Sequence, residues 1–532
     1  MVQADPPRAA DVCIVGAGAV GGIMAAELAD RGLEVLVLEA GPRHDLAARR
    51  EYARRAIRGE DPWRSPIAAM DRYTTSGSFP FTLEAKRARG IGGSTLHWEG
   101  YTLRFHADDF RLQSRHGIAE DWPISYEDLE PYYGKAERAL GIAGAADDPW
   151  ASPRSTAYPL PPFPFSYSDR MFARACQELG IALHHMPQAR NSVAFGGRSR
   201  CLACSVCVAC PTGAKATVDL THVARAEATG RVRVLPDTTV LRLEVDPSRR
   251  VSGIVCAGHD RRERRVAAPI VVVAANGVET ARLLLLSTST VFPAGLANSS
   301  GQVGRHFMSH PAIDVVGRMR MNVFPHRVGF STAITRQFAV ERARATQGSF
   351  FLEFLNGPGL PPPASIAVAS GKWGEALHRH VQREFGHLLG IRVYCEQLPA
   401  AANAVSLDRT ATDHFGNPVP HIAYGIGPYE QAALRDGEAV AAGILRALGA
   451  EDIRAQNREV GAHQLGTHRM GRDPRASVVD PDLRAHDVPN LYLVGGGCFV
   501  TGSSAYPTLT IAALAIRAAE RIASVVRGGA GA

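Results

Sequence analysis

Three stretches of the sequence combine residue types and spacings that could do chemistry. The first is Gly16-Ala-Gly18-Ala-Val-Gly21, directly after the short run Asp11-Val-Cys-Ile-Val15. That run predicts a buried strand, Gly22–Arg31 a helix that Gly32 stops, and Leu33–Leu38 a second strand closed by Glu39. In such a βαβ unit Gly16 permits the tight turn, Gly18 lets the backbone approach a pyrophosphate, and Gly21 lets helix and strand pack closely. The helix N-terminus offers free N–H groups and a positive dipole end to phosphate. Glu39, 18 residues beyond Gly21, can accept two hydrogen bonds from a ribose diol, and its charge would repel the 2′-phosphate of NADP. FAD and NAD both stay open on this stretch alone.

The second stretch is Cys201-x2-Cys204-x2-Cys207-x2-Cys210-Pro211, four of the nine cysteines within ten residues. CxxC spacing this dense points first to a metal or cluster, and a proline after the last cysteine suits a ferredoxin-type run. Zinc favours two separated pairs, which this run lacks. Four reduced thiols without a metal is the competing reading, and it too stays open. The third stretch lies near the C-terminus. Asn490–Val494 predicts another buried strand, Gly495-Gly496-Gly497 a turn, and Pro507–Thr510 the start of a helix to about Arg527. A second glycine turn and helix far along the chain suggest a second approach to the same cofactor, which favours FAD.

The elements that must hold these stretches are those of a globular chain. It has 532 residues, 45% hydrophobic and 21% charged, long enough for two or more cores, and no collagen-like or disordered composition. The net charge of +7 is dispersed, so nucleic acid is not an expected partner. The short Arg261–Arg265 run reads as a solvated turn. The longest uncharged apolar stretch, Val12–Ala26, is Gly-rich and too short to span a bilayer. Met1–Ala10 does not read as an export signal, and the other five cysteines sit in apolar contexts that suit free thiols. The expectation is a cytoplasmic protein, with export alongside a partner subunit as the alternative. Strands are expected at Gly230–Asp246 around Pro236-Asp237, at Val251–Cys256 and at Ile270–Ala274, with helices at Gly277–Leu286 and Tyr429–Leu448. Between about 311 and 460 strands and turns are expected to alternate, with Tyr394–Leu398 and Ala404–Leu407 among the strands.

Taken together, the sequence resembles the glucose–methanol–choline (GMC) family of FAD oxidoreductases over nearly the whole chain. The resemblance rests on Gly16–Gly21 with Glu39, on Gly92-Gly93-Ser-Thr-Leu-His97-Trp98, and on Ala274–Leu286. It rests also on His463-Gln-Leu-Gly-Thr-His468-Arg-Met-Gly471 and Ser503–Ile511. Within the family it is most similar to pyranose oxidases, sugar dehydrogenase catalytic subunits and glucoside 3-dehydrogenases. The resemblance implies an α/β bilobal fold: a Rossmann-like FAD-binding domain from residues 1–304 and 461–532, and a sheet-based substrate domain from 305–460.

It implies the following chemistry. FAD is held by Gly16, Gly18, Gly21 and Glu39, with Gly92, Gly93, His97, Val240 and Gly496 against it. His97 matches a position that carries covalent FAD in some relatives, and the non-covalent form is expected here. His463 is the catalytic base, and His468 is structural. At position 506, 43 residues later, the family places a catalytic Asn or His where this chain has Tyr506, so Tyr506 is expected as the second catalytic residue, its hydroxyl either holding the substrate oxygen or pointing away and leaving that role to another partner. Sugar dehydrogenase subunits carry a cluster in a cysteine segment to which Cys201, Cys204, Cys207 and Cys210 correspond, with a different last interval. The implied function is FAD-dependent oxidation of a sugar, glycoside or polyol hydroxyl to a carbonyl by a dehydrogenase, passing electrons to a partner subunit or cytochrome. An O₂-using oxidase and a non-catalytic electron-relay flavoprotein are the alternatives.

Overall fold

Strands covered on both faces need apolar side chains at every position, and several short runs in this chain supply them. Val12–Val15, Val35–Leu38, Ile270–Val273 and Leu491–Leu493 are buried throughout. With Val232–Leu235 they form a five-stranded parallel sheet in the order 491–493, 270–273, 12–15, 35–38, 232–235. The structure is a computed structural model that describes residues 10–529 except 59, 66, 85, 341–343, 358, 359 and 459. Most of the N-terminal stretch read for an export signal therefore lies outside the described residues. The first helix, Ala19–Asp30, starts three residues before its expected position because Gly18 already serves as its N-cap. Helix Thr508–Gly529 packs against it, and helix Tyr126–Leu140 packs against Thr508–Gly529 in turn.

A second sheet has six strands in the order Glu451–Asn457, Ala312–Arg318, Leu388–Cys395, Phe350–Phe354, Ala333–Thr335, His184–His185, all antiparallel. Side chains alternate across a strand. Ile313, Val315, Leu352, Phe354, Ile391 and Val393 form one core with Ala441, Ile444 and Leu445 of helix Pro428–Ala447. The alternate positions Asp314, Glu353, Arg392 and Tyr394 share the opposite face, and the register sets Arg392 between Asp314 and Glu353. The parallel sheet and this face together enclose the site.

Two expectations shift. The strand expected at Tyr394–Leu398 is Leu388–Cys395, because its pairing with Ala312–Arg318 ends at Tyr394 and its pairing with Phe350–Phe354 ends at Cys395. The stretch expected to alternate strands and turns also contains helices Pro363–Ser370 and Gly374–Glu384. Ile366 is their one buried residue among those described, so no core pattern in the sequence announces them. No helix among the described residues is long and apolar enough to cross a membrane.

Candidate active site

The glycine turn is shaped by contacts that a side chain would break. Gly16 has φ +101°, and a Cβ on Gly21 would lie 1.8 Å from Gly16 O, so only glycine lets helix Ala19–Asp30 settle on the first strand. That helix begins with no side-chain cap and no acidic residue in its first turn, leaving its first N–H groups to an anion. The loop at Gly90–Gly93 lies over the turn: Gly92 N–H donates to Ala17 O at 2.9 Å, and a Cβ on Gly93 would meet Gly18 Cα at 2.7 Å. A cavity of about 520 Å³ follows this cradle past Gly16, Gly18, Glu39, Gly93 and Val240 and continues to His97, His463, Tyr506 and Gly496. Gly21 and Gly92 do not line it; they act through packing.

Glu39 does more than the sequence suggests. Its carboxylate accepts from the N–H groups of Ala17 (2.8 Å), Gly41 (2.9 Å) and Gly90 (3.2 Å), tying the glycine turn to the covering loop. Burial raises its pKa above the usual carboxylate value, against the pull of those N–H groups and Arg89. An uncapped helix start, glycines where a Cβ would clash, and a buried acid at the end of the second strand fit the pyrophosphate and ribose of FAD.

At the other end of the cavity stands His463. Its loop is clamped between the turn Gly495–Gly497 and helix Gly277–Leu286: a Cβ on Gly277 or Gly496 would meet Gln464 O at 2.6 or 2.7 Å. Behind it is buried His310, with the two Nδ1 atoms 2.7 Å apart and His310 Nε2 2.9 Å from Ser503 O. A carbonyl only accepts, so His310 Nε2 carries a proton. The Nδ1 of that neutral ring is then an acceptor, and His463 donates from its own Nδ1. His463 Nε2 is left with a lone pair and has no hydrogen-bond partner among the described residues. Burial holds His310 down at about 4, and burial together with His310 holds His463 well below the ordinary histidine value. His97, which lines the cavity, is lowered to about 3 by burial and then by Lys215 and Lys86. All three rings are neutral at physiological pH.

Tyr506 also lines this end, its ring T-shaped to His463 with centroids 6.0 Å apart. Its O–H donates to Glu353 Oε2 at 2.7 Å, while Ser331 Oγ donates to Oε1 at 2.6 Å. The residues that sequence reasoning missed are His310, Glu353 and Arg392. A signal existed for Arg392, a cation inside the otherwise apolar run 388–393. None existed for the pairing of His310 with His463, 153 residues apart.

The cysteine run lies on one loop behind the cavity wall, and its sulfurs do not converge. Among the described residues no three His, Cys, Asp or Glu side chains gather as metal ligands. Cys201 Sγ accepts from Ala203 N–H (3.4 Å), Cys210 Sγ from Lys215 N–H (3.5 Å), and Arg190 donates to Cys207 Sγ (3.1 Å). Burial pushes Cys207 up to about 11. Arranged this way, the four residues do not fit a cluster. All nine cysteines are free thiols, as expected of the scattered five.

A dinucleotide cradle ending at a neutral histidine with an open Nε2 has the parts of an oxidoreductase site. Residues 74–312 and 399–515 match the GMC oxidoreductase N- and C-terminal domains. The chain is 31% identical to the fructose dehydrogenase large subunit of Gluconobacter japonicus, over 98% of this chain and 99% of that one. It is 30% identical to the 2-methyl-1,2-propanediol dehydrogenase of Mycolicibacterium austroafricanum, over 96% and 95%. Among solved structures, pyridoxine 4-oxidase from Mesorbium loti superposes with a TM-score of 0.64 at 18% identity, covering 96% of this chain and 99% of that one. Formate oxidase from Aspergillus oryzae superposes at 0.68 and 16%, covering 98% and 99%, and shares the fold. The chain belongs to the GMC oxidoreductase family, and its cofactor is FAD.

Proposed function

We propose that this protein is a dehydrogenase that oxidises a hydroxyl of a sugar, glycoside or polyol to a carbonyl, with His463 as its base. The observation that carries this reading is the single lone pair on His463 Nε2, fixed by the His310–Ser503 chain and facing a cavity that continues from the FAD cradle. His463 Nε2 takes the hydroxyl proton. Bound FAD supplies the acceptor for the hydride that leaves the same carbon. Tyr506 shapes the pocket, its proton committed to Glu353. The two relatives named as dehydrogenases of fructose and of a diol support the substrate class and the dehydrogenase reading. The name "large subunit" of the first supports a partner that takes the electrons onward. The parallel-sheet strands at both ends of the chain support an FAD domain from 1–304 and 461–532, and the free thiols support a reducing compartment. The test is anaerobic mixing of the yellow holoenzyme with D-fructose, D-glucose, glycerol and 1,2-propanediol. Bleaching of the flavin band by at least one is expected, and a flavin that none of them reduces overturns the reading.

A further inference from the structure

At the His463 end of the cavity most polar groups already have partners. Tyr506 donates to Glu353, Arg392 is held at two points by Asp314 (2.7 and 3.2 Å), and Arg458 also donates to Asp314 (2.6 Å). Tyr101 accepts from Ser331 N–H at 2.7 Å. Among the cavity-lining groups without a hydrogen-bond partner among the described residues are His463 Nε2, the Tyr394 hydroxyl and Glu99 Oε2. Glu99 follows His97 and Trp98 along the cavity wall, and its Oε2 is buried without a donor. The cations behind it do not serve it. Lys215 Nζ donates to the carbonyls of Leu96 (3.2 Å), Trp98 (2.6 Å) and Cys207 (2.6 Å). Arg190 donates to Glu99 O and Cys207 Sγ, not to the Glu99 carboxylate. A buried acceptor left unmade is costly, and a turn of the Glu99 carboxylate that brings Oε2 to the cavity would let a ligand hydroxyl relieve that cost, giving both affinity and selectivity.

We propose that Glu99 is a substrate-binding residue: it accepts a hydrogen bond from a second hydroxyl of the molecule whose first hydroxyl faces His463 Nε2, with the Tyr394 hydroxyl as a further partner. This rests on the alcohol-oxidising reading above and narrows it to molecules with at least two neighbouring hydroxyls. A simple alcohol leaves Glu99 without a donor. Arg190, Lys215, Arg392 and Arg458 stand around Glu99, Glu353 and Asp314, and Lys86 lines the same cavity, so the complement is a neutral hydroxyl and not an ammonium.

The test uses holoenzyme whose flavin has been reduced chemically without air, titrated calorimetrically with D-fructose, glycerol and 1-propanol, so that binding is read without turnover. Wild type is expected to bind at least one polyol more tightly than 1-propanol. Glu99→Gln should weaken that polyol by about 10- to 100-fold, the loss of a charge-assisted acceptor, with 1-propanol affinity and FAD content unchanged. Tyr394→Phe, which keeps the carboxylate, should weaken it by about 2- to 10-fold. Unchanged polyol affinity in Glu99→Gln overturns the assignment while flavin bleaching by polyols leaves the enzyme reading standing. Weakened binding in Glu99→Gln by a wild type that polyols never bleach upholds Glu99 and overturns alcohol oxidation. A wild type with no affinity for either polyol overturns both.

Discussion

His463 and His310 work as a pair whose protons are set by one backbone carbonyl, so the two should respond differently to replacement. His463→Ala removes the base, and FAD should stay bound while anaerobic flavin reduction slows by on the order of 10²–10⁴-fold. Reduction at the wild-type rate would refute its role. His310→Ala leaves the base but frees its tautomer and opens its buried side to water, relieving the burial that is the main cause of its lowered pKa. The wild-type rate should be level through the ordinary histidine range and fall only well below pH 6.5, as His463 becomes protonated. In His310→Ala that acid limb should move up in pH, read from reduction rates between about pH 5 and 8. A limb that does not move would make His310 merely structural. Tyr506→Phe strips a donor from buried Glu353. It should cost about 1–3 kcal/mol in urea unfolding, with FAD retained.

At the level of elements, what the sequence reveals depends on how local the physics is. The βαβ unit is legible because each glycine answers to a contact a few residues away: Gly21 against Gly16, 1.8 Å from a Cβ. The wall carrying Glu353, Arg392 and Tyr394 is not legible, because strand register between residues 312–318, 350–354 and 388–395 decides which side chains meet. The cysteine run shows the same limit: spacing is written in the sequence, but the direction of each sulfur is set by Lys215, Arg190 and the turn at Ala203. The glycines allow a graded test. A Cβ on Gly18 would find its nearest atom at 3.8 Å, so Gly18→Ala should fold with an unchanged apo melting temperature. Any loss of FAD in that variant then reports the pyrophosphate the methyl displaces. Gly21→Ala should instead fail to accumulate as folded protein, its methyl driven into a backbone carbonyl. Equal stability and FAD content in the two variants would contradict this division of roles.

Across the whole molecule, burial of neutral imidazoles sets a lower limit on the pH the fold tolerates. His310, His222 and His468 are 3%, 1% and 0% exposed and lie in separate segments. Burial lowers His310 to about 4 and His222 and His468 to about 3, from an ordinary value of 6.5. Between those values the unfolded chain holds protons that the folded one refuses, so stability rises with pH across that window. The contribution is complete above pH 6.5 and is lost as pH falls, until each folded pKa is reached. Each group gives at most about 1.4 kcal/mol per pH unit, and together they give about 4. Against a total stability of about 5–15 kcal/mol this is enough to unfold a protein at the lower end of that range about one to two units below that point. Urea midpoints should therefore be level between about pH 7 and 8 and drop steeply between 6 and 5. His468→Gln offers a direct check, since His468 Nε2 is buried without a partner and its shift has burial as its one cause. The variant removes one titrating group and should flatten the slope below pH 6 by about 1.4 kcal/mol per unit. An unaltered slope, or midpoints that do not change from pH 7 to 5, would show that the buried imidazoles do not set the limit.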